Sequence, residues 1–154
     1  MGTALRTAAV RRLIQRSVRH RRVPRRAEVC CGCCNHSIRR IDLEGNVSTV
    51  AGSHRRHGHI DGKVAVARFN DPTAVASDGT IYVGEESGGC VRRIRDGTVS
   101  TLLQGGSVRG LLLDEGRGLL YVSSGNCIRA VFIGTPAEQE EARYYPALQT
   151  WAPV

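Results

Sequence analysis

An internal repeat limits the possible folds of this chain, because each copy of a repeated pattern is one structural unit of an array. Three copies share a short segment in which apolar residues flank basic ones, and two of them also share a strand-like segment further on. The matching segments are Ile38–Ile41 with Val91–Ile94 and Ile128–Val131, and Val47–Val50 with Val99–Leu102. The intervals between copies, 53 and 37 residues, indicate units of about 40–50 residues with an insertion in the first interval.

The second copy is the most complete and predicts four short strands. Apolar, strand-forming residues alternate with the turn pairs Asp78-Gly79 and Asp96-Gly97, whose residues tolerate the positive φ of a tight hairpin. The predicted strands are Thr73–Ser77, Thr80–Gly84, Cys90–Arg95 and Thr98–Leu103. Four antiparallel strands joined in this way form one propeller blade. The sequence therefore predicts an all-β fold, an incomplete β-propeller made of four-stranded blades.

Several stretches resemble a known family. In the first copy, the combination that resembles the signature of NHL-repeat β-propellers is Asn35-His36, Ile38–Asp42, Gly45 and Val47–Gly52. Two further segments are similar to the segment that joins blades in NHL arrays related to the thioredoxin-linked NHL proteins, namely Gly58–Gly62 and Ala67–Pro72. The pair Tyr82-Val83 matches the core of the second strand in those arrays. The resemblance covers residues 34–133 and implies about two NHL-type blades, whereas a family propeller closes a ring of about six.

The chain departs from the family pattern at several places. The Asn-His pair is replaced by Gly88-Gly89 in the second copy, and only Asn126 remains in the third. The residues VCCGCC stand where the first two strands of the first copy are expected, and the tail replaces the fourth strand of the third copy. The expected array leaves its first and last faces uncovered. This predicts self-association, a protein partner, or a truncated piece of a longer protein.

Charge divides the chain into a basic leader at residues 1–28, the predicted NHL-repeat blades at 29–133 and a divergent tail at 134–154. Residues 1–27 hold nine arginines and no acid, whereas the rest has thirteen Arg and Lys against fourteen Asp and Glu. The cationic, amphipathic leader is typical of a transit peptide, but a basic arm or a segment without function has the same composition. We expect no secretion and no membrane span, and a cytoplasmic location or, with a transit peptide, a mitochondrial or plastid one.

The candidate partner-binding residues are basic side chains on two predicted strands and in the insert Ser53–Asp71, which we expect to be the most exposed segment. They are Arg39, Arg40, Arg55, Arg56, His57, Arg92 and Arg93. The cysteines of CCGCC are interpreted as reduced thiols at strand positions, since no second C-x2-C pair completes a zinc site. The spacing His54-x2-His57-x-His59 is interpreted as a solvated loop, because the two arginines within it oppose a divalent cation. No catalytic, metal or cofactor site is predicted.

The predicted function is a protein-interaction scaffold without catalysis of its own. No Ser-His-Asp set, phosphate loop or GxGxxG pattern stands out, and chemistry on the axis of a propeller requires a closed ring. Two alternatives stay open: a fragment of a propeller hydrolase or lyase, and an RNA-binding NHL surface. The near-neutral body argues against nucleic acid, because phosphate binding needs a concentrated basic face. The predicted partner is a protein, or a second copy that completes the propeller.

Overall fold

The computed structural model describes residues 28–32, 35–134 and 152–153, and these ranges contain twelve strands and no α-helix. The strands are β1 (Glu28–Gly32), β2 (Ser37–Ile41), β3 (Val47–Gly52), β4 (Gly62–Lys63), β5 (Pro72–Ser77), β6 (Ile81–Glu85), β7 (Cys90–Arg95), β8 (Thr98–Gln104), β9 (Val108–Asp114), β10 (Leu119–Ser124), β11 (Cys127–Phe132) and β12 (Ala152–Pro153). The predictions for the basic leader, for Cys33 and Cys34, and for most of the tail lie outside the described residues. Within the described ranges, no helix is long and apolar enough to cross a membrane.

The strands form three antiparallel sheets, one for each copy of the repeat. The first sheet has the order β1-β2-β3, the second β4-β8-β7-β6-β5 and the third β12-β11-β10-β9. The four strands predicted for the second copy are confirmed as β5 to β8, with ends that shift by at most one residue. In the third sheet, the described part of the fourth strand is β12, whose two residues pair with β11. The all-β prediction is confirmed, and three sheets that do not close into a ring are consistent with a partial β-propeller.

Tight turns form where the sequence predicts them, because Asp and Gly accept the backbone angles of a hairpin. Between β7 and β8, Asp96 and Gly97 have φ values of 50° and 70°, as a two-residue hairpin with positive φ at both positions requires. Between β5 and β6, the Thr80 amide donates a hydrogen bond to the Asp78 carboxylate at 2.9 Å. These local interactions fix the register of the second sheet.

The prediction that VCCGCC takes the place of two strands in the first copy is wrong for one of them. Residues Glu28–Gly32 form β1, which pairs with β2 so that Cys31 lies opposite Ile38. Val29 and Cys31 pack against the core between the first and second sheets. A buried thiol behaves as a small apolar side chain. Val29 and Cys31 are two positions apart and therefore point to the same face of the strand, and two such side chains are sufficient for a half-buried strand.

Two apolar cores lie between the sheets, one on each face of the second sheet. Neighbouring residues of a strand point in opposite directions, so on β6 Val83 packs toward the first sheet and Tyr82 toward the third. The first core comprises Ile38, Ala51, Ala67, Phe69, Val83, Ile94 and Val99. The second core comprises Tyr82, Val91, Val108, Leu120 and Val122. The second sheet is therefore covered on both faces.

The insert Ser53–Asp71 is not a purely solvated loop. Its first part is largely exposed, but Ala67 and Phe69 are fully buried in the core between the first and second sheets. Between these parts, β4 pairs with β8 at the edge of the second sheet. The expectation that the insert is the most exposed segment therefore does not hold for its C-terminal part, because these apolar residues fill the space between two neighbouring sheets.

The second and third sheets approach closely where β5 and β6 face β9. The Thr73 hydroxyl donates a hydrogen bond to the Val108 carbonyl oxygen at 2.6 Å, from one sheet to the other. Gly84 lies so close to the Val108 side chain that a Cβ atom at position 84 would overlap it. These contacts set the spacing between two successive sheets.

Candidate functional site

A buried arginine occupies the interface between the first and second sheets. Arg92, predicted as a partner-binding residue, is 0% exposed. It donates a hydrogen bond to the Glu85 carboxylate at 3.0 Å. Its Nε atom donates to the Asp61 carboxylate at 3.0 Å, and its Nη2 atom donates to the same carboxylate. It also donates to the Arg68 carbonyl oxygen at 3.2 Å, and its guanidinium lies 5.4 Å from the centroid of the Phe69 ring. The surface prediction for Arg92 is therefore wrong. Alternation along β7 turns this side chain inward, where two carboxylates balance its charge.

Asp61 connects the insert to two strands of the second sheet. Besides Arg92 on β7, its carboxylate accepts hydrogen bonds from the Thr101 amide at 2.9 Å and from the Thr101 hydroxyl at 3.0 Å on β8. Burial alone would raise the pKa of Asp61, but the hydrogen bonds from Arg92 and Thr101 outweigh it and hold the pKa below its ordinary value. The ionised carboxylate therefore anchors the insert to the sheet.

Glu85, at the end of β6, is the second carboxylate of this cluster and is fully buried. Its Oε1 atom accepts a hydrogen bond from Arg92, and its Oε2 atom accepts one from the Asn70 amide at 3.1 Å. Burial raises the pKa of Glu85, although the Asn70 hydrogen bond and the charges of Arg92 and His59 oppose the shift. The charged form of Glu85 therefore depends on these partners.

A histidine and a cysteine lie beside Glu85. The His59 Nδ1 atom is 3.8 Å from Glu85 Oε2 and 3.7 Å from Cys90 Sγ, and the three side chains place a nitrogen, an oxygen and a sulfur atom within 4.8 Å of one another. Cys90 is 1% exposed, and its burial, together with the charge of Glu85, raises the pKa of the thiol to about 12. Such a thiol is a poor nucleophile. The same three atoms are ligands of the types that bind transition metals.

Sequence reasoning did not connect these three residues. It grouped His59 with His54 and His57 in a solvated loop, whereas the structure brings the rings of His57 and His36 within 5.5 Å and turns His59 toward Cys90. Because His59 and Cys90 are 31 residues apart, no short spacing motif joins them. The signal present in the sequence was an acid and a cysteine at the adjoining ends of β6 and β7.

The other predicted partner-binding residues lie at or near the surface. Those that are exposed are Arg40, Arg55, Arg56 and His57, and those that are half-buried are Arg39 and Arg93. In the repeat, Arg39 on β2 is the counterpart of Arg92 on β7. It belongs to the face of the first sheet that points away from the second sheet, because Ile38, its neighbour, points into the core between them.

The third sheet has a face that no described sheet covers. By the repeat, Tyr121 and Ile128 in the third sheet correspond to Tyr82 and Val91 in the second. Tyr82 and Val91 are 4% and 0% exposed because the third sheet packs on them, whereas Ile128 is 46% exposed and Tyr121 is partly exposed. Leu112 on β9, opposite Tyr121 on β10, is 67% exposed. We call Leu112, Tyr121, Ile128 and Ala130 the open face.

Comparison with known proteins identifies similar folds. Neither a protein-family model nor a curated protein matches the chain. A solved structural genomics protein of unknown function from Bacteroides thetaiotaomicron matches with a TM-score of 0.54 at 21% identity, covering 64% of this chain and 30% of that one. Auxiliary nutrient binding proteins from Bacteroides ovatus and Bacteroides thetaiotaomicron match with TM-scores of 0.53 and 0.52 at 18% and 16% identity, covering 64% of this chain and 32% of each of those.

At these identities, the comparisons show a similarity of fold alone. The chain spans about a third of the length of each of these solved structures. The described sheets are therefore similar in fold to one part of larger all-β proteins.

Proposed function

We propose that this chain is part of an NHL-type β-propeller and acts as a protein-interaction module that binds a further β-sheet on the open face. One contrast carries the proposal: equivalent positions are buried at Tyr82 and Val91 but 46% exposed at Ile128. Large apolar side chains gathered on one exposed face mark interaction surfaces. The NHL resemblance of the sequence and the succession of three antiparallel sheets support the propeller architecture.

The proposed occupant of the open face is the first sheet of a second copy of this chain. The first sheet has its own face turned away from the second sheet, with Cys30, Arg39 and Ile41 partly exposed on it. In the repeat, these positions of the first sheet are equivalent to the positions of the second sheet that contact the first sheet. Packing the third sheet of one copy on the first sheet of another would therefore repeat the contact that successive sheets already make within the chain.

Two copies joined in this way supply six sheets, about the number of blades that the family resemblance implies. The contact is head-to-tail, and such a contact forms a closed ring when the successive rotations complete a full turn. The solved structures of similar fold are roughly three times as long as the part they share with this chain, which is consistent with an array that needs further sheets. The proposed assembly is a closed dimer.

The test is the molar mass of the full chain, measured by light scattering as it elutes from a sizing column. We expect a dimer for the wild type and a monomer for Leu112→Glu, because the substitution would bury an unpaired carboxylate in the interface. Leu43→Glu is the matched control, since Leu43 is similarly exposed, at 66%, but lies in the turn after β2 and outside the open face. This control should remain a dimer.

Two results would count against the proposal. A folded wild-type chain that stays monomeric at high concentration would exclude self-association. A dimer that persists in Leu112→Glu would mean that another surface forms the contact.

A further inference from the structure

We propose that His59, Glu85 and Cys90 form a binding site for a divalent transition metal, with Zn²⁺ as the best-fitting ion. The three residues come from the insert, the end of β6 and the start of β7. They offer one imidazole nitrogen, one carboxylate oxygen and one sulfur atom, all within 4.8 Å of one another. This proposal is independent of the open face, because the three residues lie on other elements of the fold.

The two distances from the His59 nitrogen to the other ligand atoms fit a tetrahedral site. With Zn–S of about 2.3 Å and Zn–N or Zn–O of about 2.0–2.1 Å, neighbouring ligands lie ~3.6 Å apart for S and N and ~3.4 Å apart for N and O. The corresponding distances here are 3.7 Å between His59 Nδ1 and Cys90 Sγ and 3.8 Å between His59 Nδ1 and Glu85 Oε2. The Glu85 oxygen and Cys90 Sγ lie within 4.8 Å of each other, so small movements of the side chains bring all three atoms to one ion.

The carboxylate is already held in place by the surrounding structure. Arg92 donates to Glu85 Oε1 at 3.0 Å, and the Asn70 amide donates to Oε2 at 3.1 Å. Ligating carboxylates are characteristically fixed by hydrogen bonds of this kind. Gly88, in the loop between β6 and β7, leaves room for Oε2, because a Cβ atom at position 88 would overlap it.

The charges around the site leave room for a cation. The Arg92 guanidinium faces two carboxylates, those of Asp61 and Glu85, so the three side chains together carry one negative charge. When Zn²⁺ binds, Cys90 coordinates as a thiolate and its proton passes to solvent. One metal dication then balances the thiolate and the remaining carboxylate charge, as buried charges require. The neighbouring Arg92 is thus compatible with a metal ion.

Access to the site is from the His59 side. Glu85 and Cys90 are 0% and 1% exposed, whereas the His59 side chain is 39% exposed. Three protein ligands leave the fourth position of a tetrahedral ion for water or a small ligand, which is the arrangement of open zinc sites. A bound ion would also tie the insert to the β6–β7 hairpin.

The experiment is a Co²⁺ titration of the full chain under reducing conditions, because tetrahedral Co²⁺ with a thiolate ligand has a characteristic visible spectrum. We expect His59→Ala and Cys90→Ser each to bind one equivalent less than the wild type. The loss of a hydrogen-bond partner of a metal ligand already costs roughly 10–100-fold in affinity, so loss of a ligand should weaken binding at this site by at least about 100-fold. His57→Ala and Cys127→Ser, which alter a histidine and a cysteine outside the site, should titrate as the wild type.

A second readout separates metal binding from a structural role of these side chains. Zn²⁺ should raise the melting temperature of the wild type and of His57→Ala, and it should raise that of His59→Ala and Cys90→Ser less. If either variant fails to fold, the other decides. The proposal is overturned if the wild type binds no Co²⁺, or if the four variants and the wild type show the same stoichiometry and the same shift with Zn²⁺.

Discussion

At Arg92, a guanidinium and two carboxylates lie beside the apolar core between the first and second sheets. Glu85 comes from the neighbouring strand, and Asp61 comes from the insert, 31 residues before Arg92. Neither Arg92 nor Glu85 has exposed surface. Buried groups of this kind stabilise a fold only while every partner is present, because the loss of one leaves an uncompensated charge.

We predict that Arg92→Met lowers the free energy of unfolding by about 3–5 kcal/mol, since it leaves Glu85 buried without its cation. Urea denaturation of the full chain measures this change. Arg93→Met is the matched control, because Arg93 is the next residue on β7 and is half-buried; it should cost less than ~1 kcal/mol. Equal unfolding midpoints for the two variants would contradict the structural role of Arg92.

Sequence reasoning at this scale could predict only part of the result. A basic doublet on a strand implies that the two side chains point to opposite faces, so one of Arg92 and Arg93 should be more buried than the other. Which one is buried depends on Asp61 and Glu85, and the partnership with Asp61 forms only when the insert folds back along the sheet. The same dependence on distant partners concealed the proximity of His59 to Cys90.

At the scale of elements, the strands of the second copy were predictable because their turns contain Asp-Gly pairs and their apolar residues alternate. Strand β1 was missed because its only β-branched residue is Val29, although cysteines at its other positions can pack as small apolar side chains. The C-terminal part of the insert was missed for a different reason. Ala67 and Phe69 have no strand of their own, and only the gap between two sheets determines that they are buried.

The contact between β6 and β9 gives a prediction at this scale. Gly84→Ala should destabilise the chain by about 1–3 kcal/mol, because the added methyl group overlaps the Val108 side chain. Gly116→Ala is the control, since a Cβ atom there meets only the Asp114 carboxylate, at 3.6 Å, and it should be nearly neutral. Chemical denaturation measures both changes.

A double variant tests whether Val108 is the cause. Gly84→Ala and Val108→Ala together should cost less than the sum of their separate costs, because the smaller side chain relieves the overlap. Additive costs would place the strain of Gly84→Ala elsewhere.

At the scale of the whole molecule, the repeat predicted an array with uncovered ends. The structure contains three antiparallel sheets in succession, and its second sheet is covered on both faces. The residues that form the open face could be derived from the sequence only by assuming that equivalent positions of each copy point the same way. What covers that face cannot be derived in this way, because the recognition of one sheet by another depends on the fit of both surfaces.

The position that Tyr82 and Tyr121 share in the repeat is buried in the second sheet and partly exposed in the third. The most direct test compares Tyr82→Ala with Tyr121→Ala by urea denaturation, at a protein concentration below that at which the chain associates. We predict a loss of about 3–5 kcal/mol for Tyr82→Ala, as for other large-to-small changes in a core, and a much smaller loss for Tyr121→Ala. Equal losses would contradict this difference in burial, because they would mean that the third sheet is covered as the second sheet is.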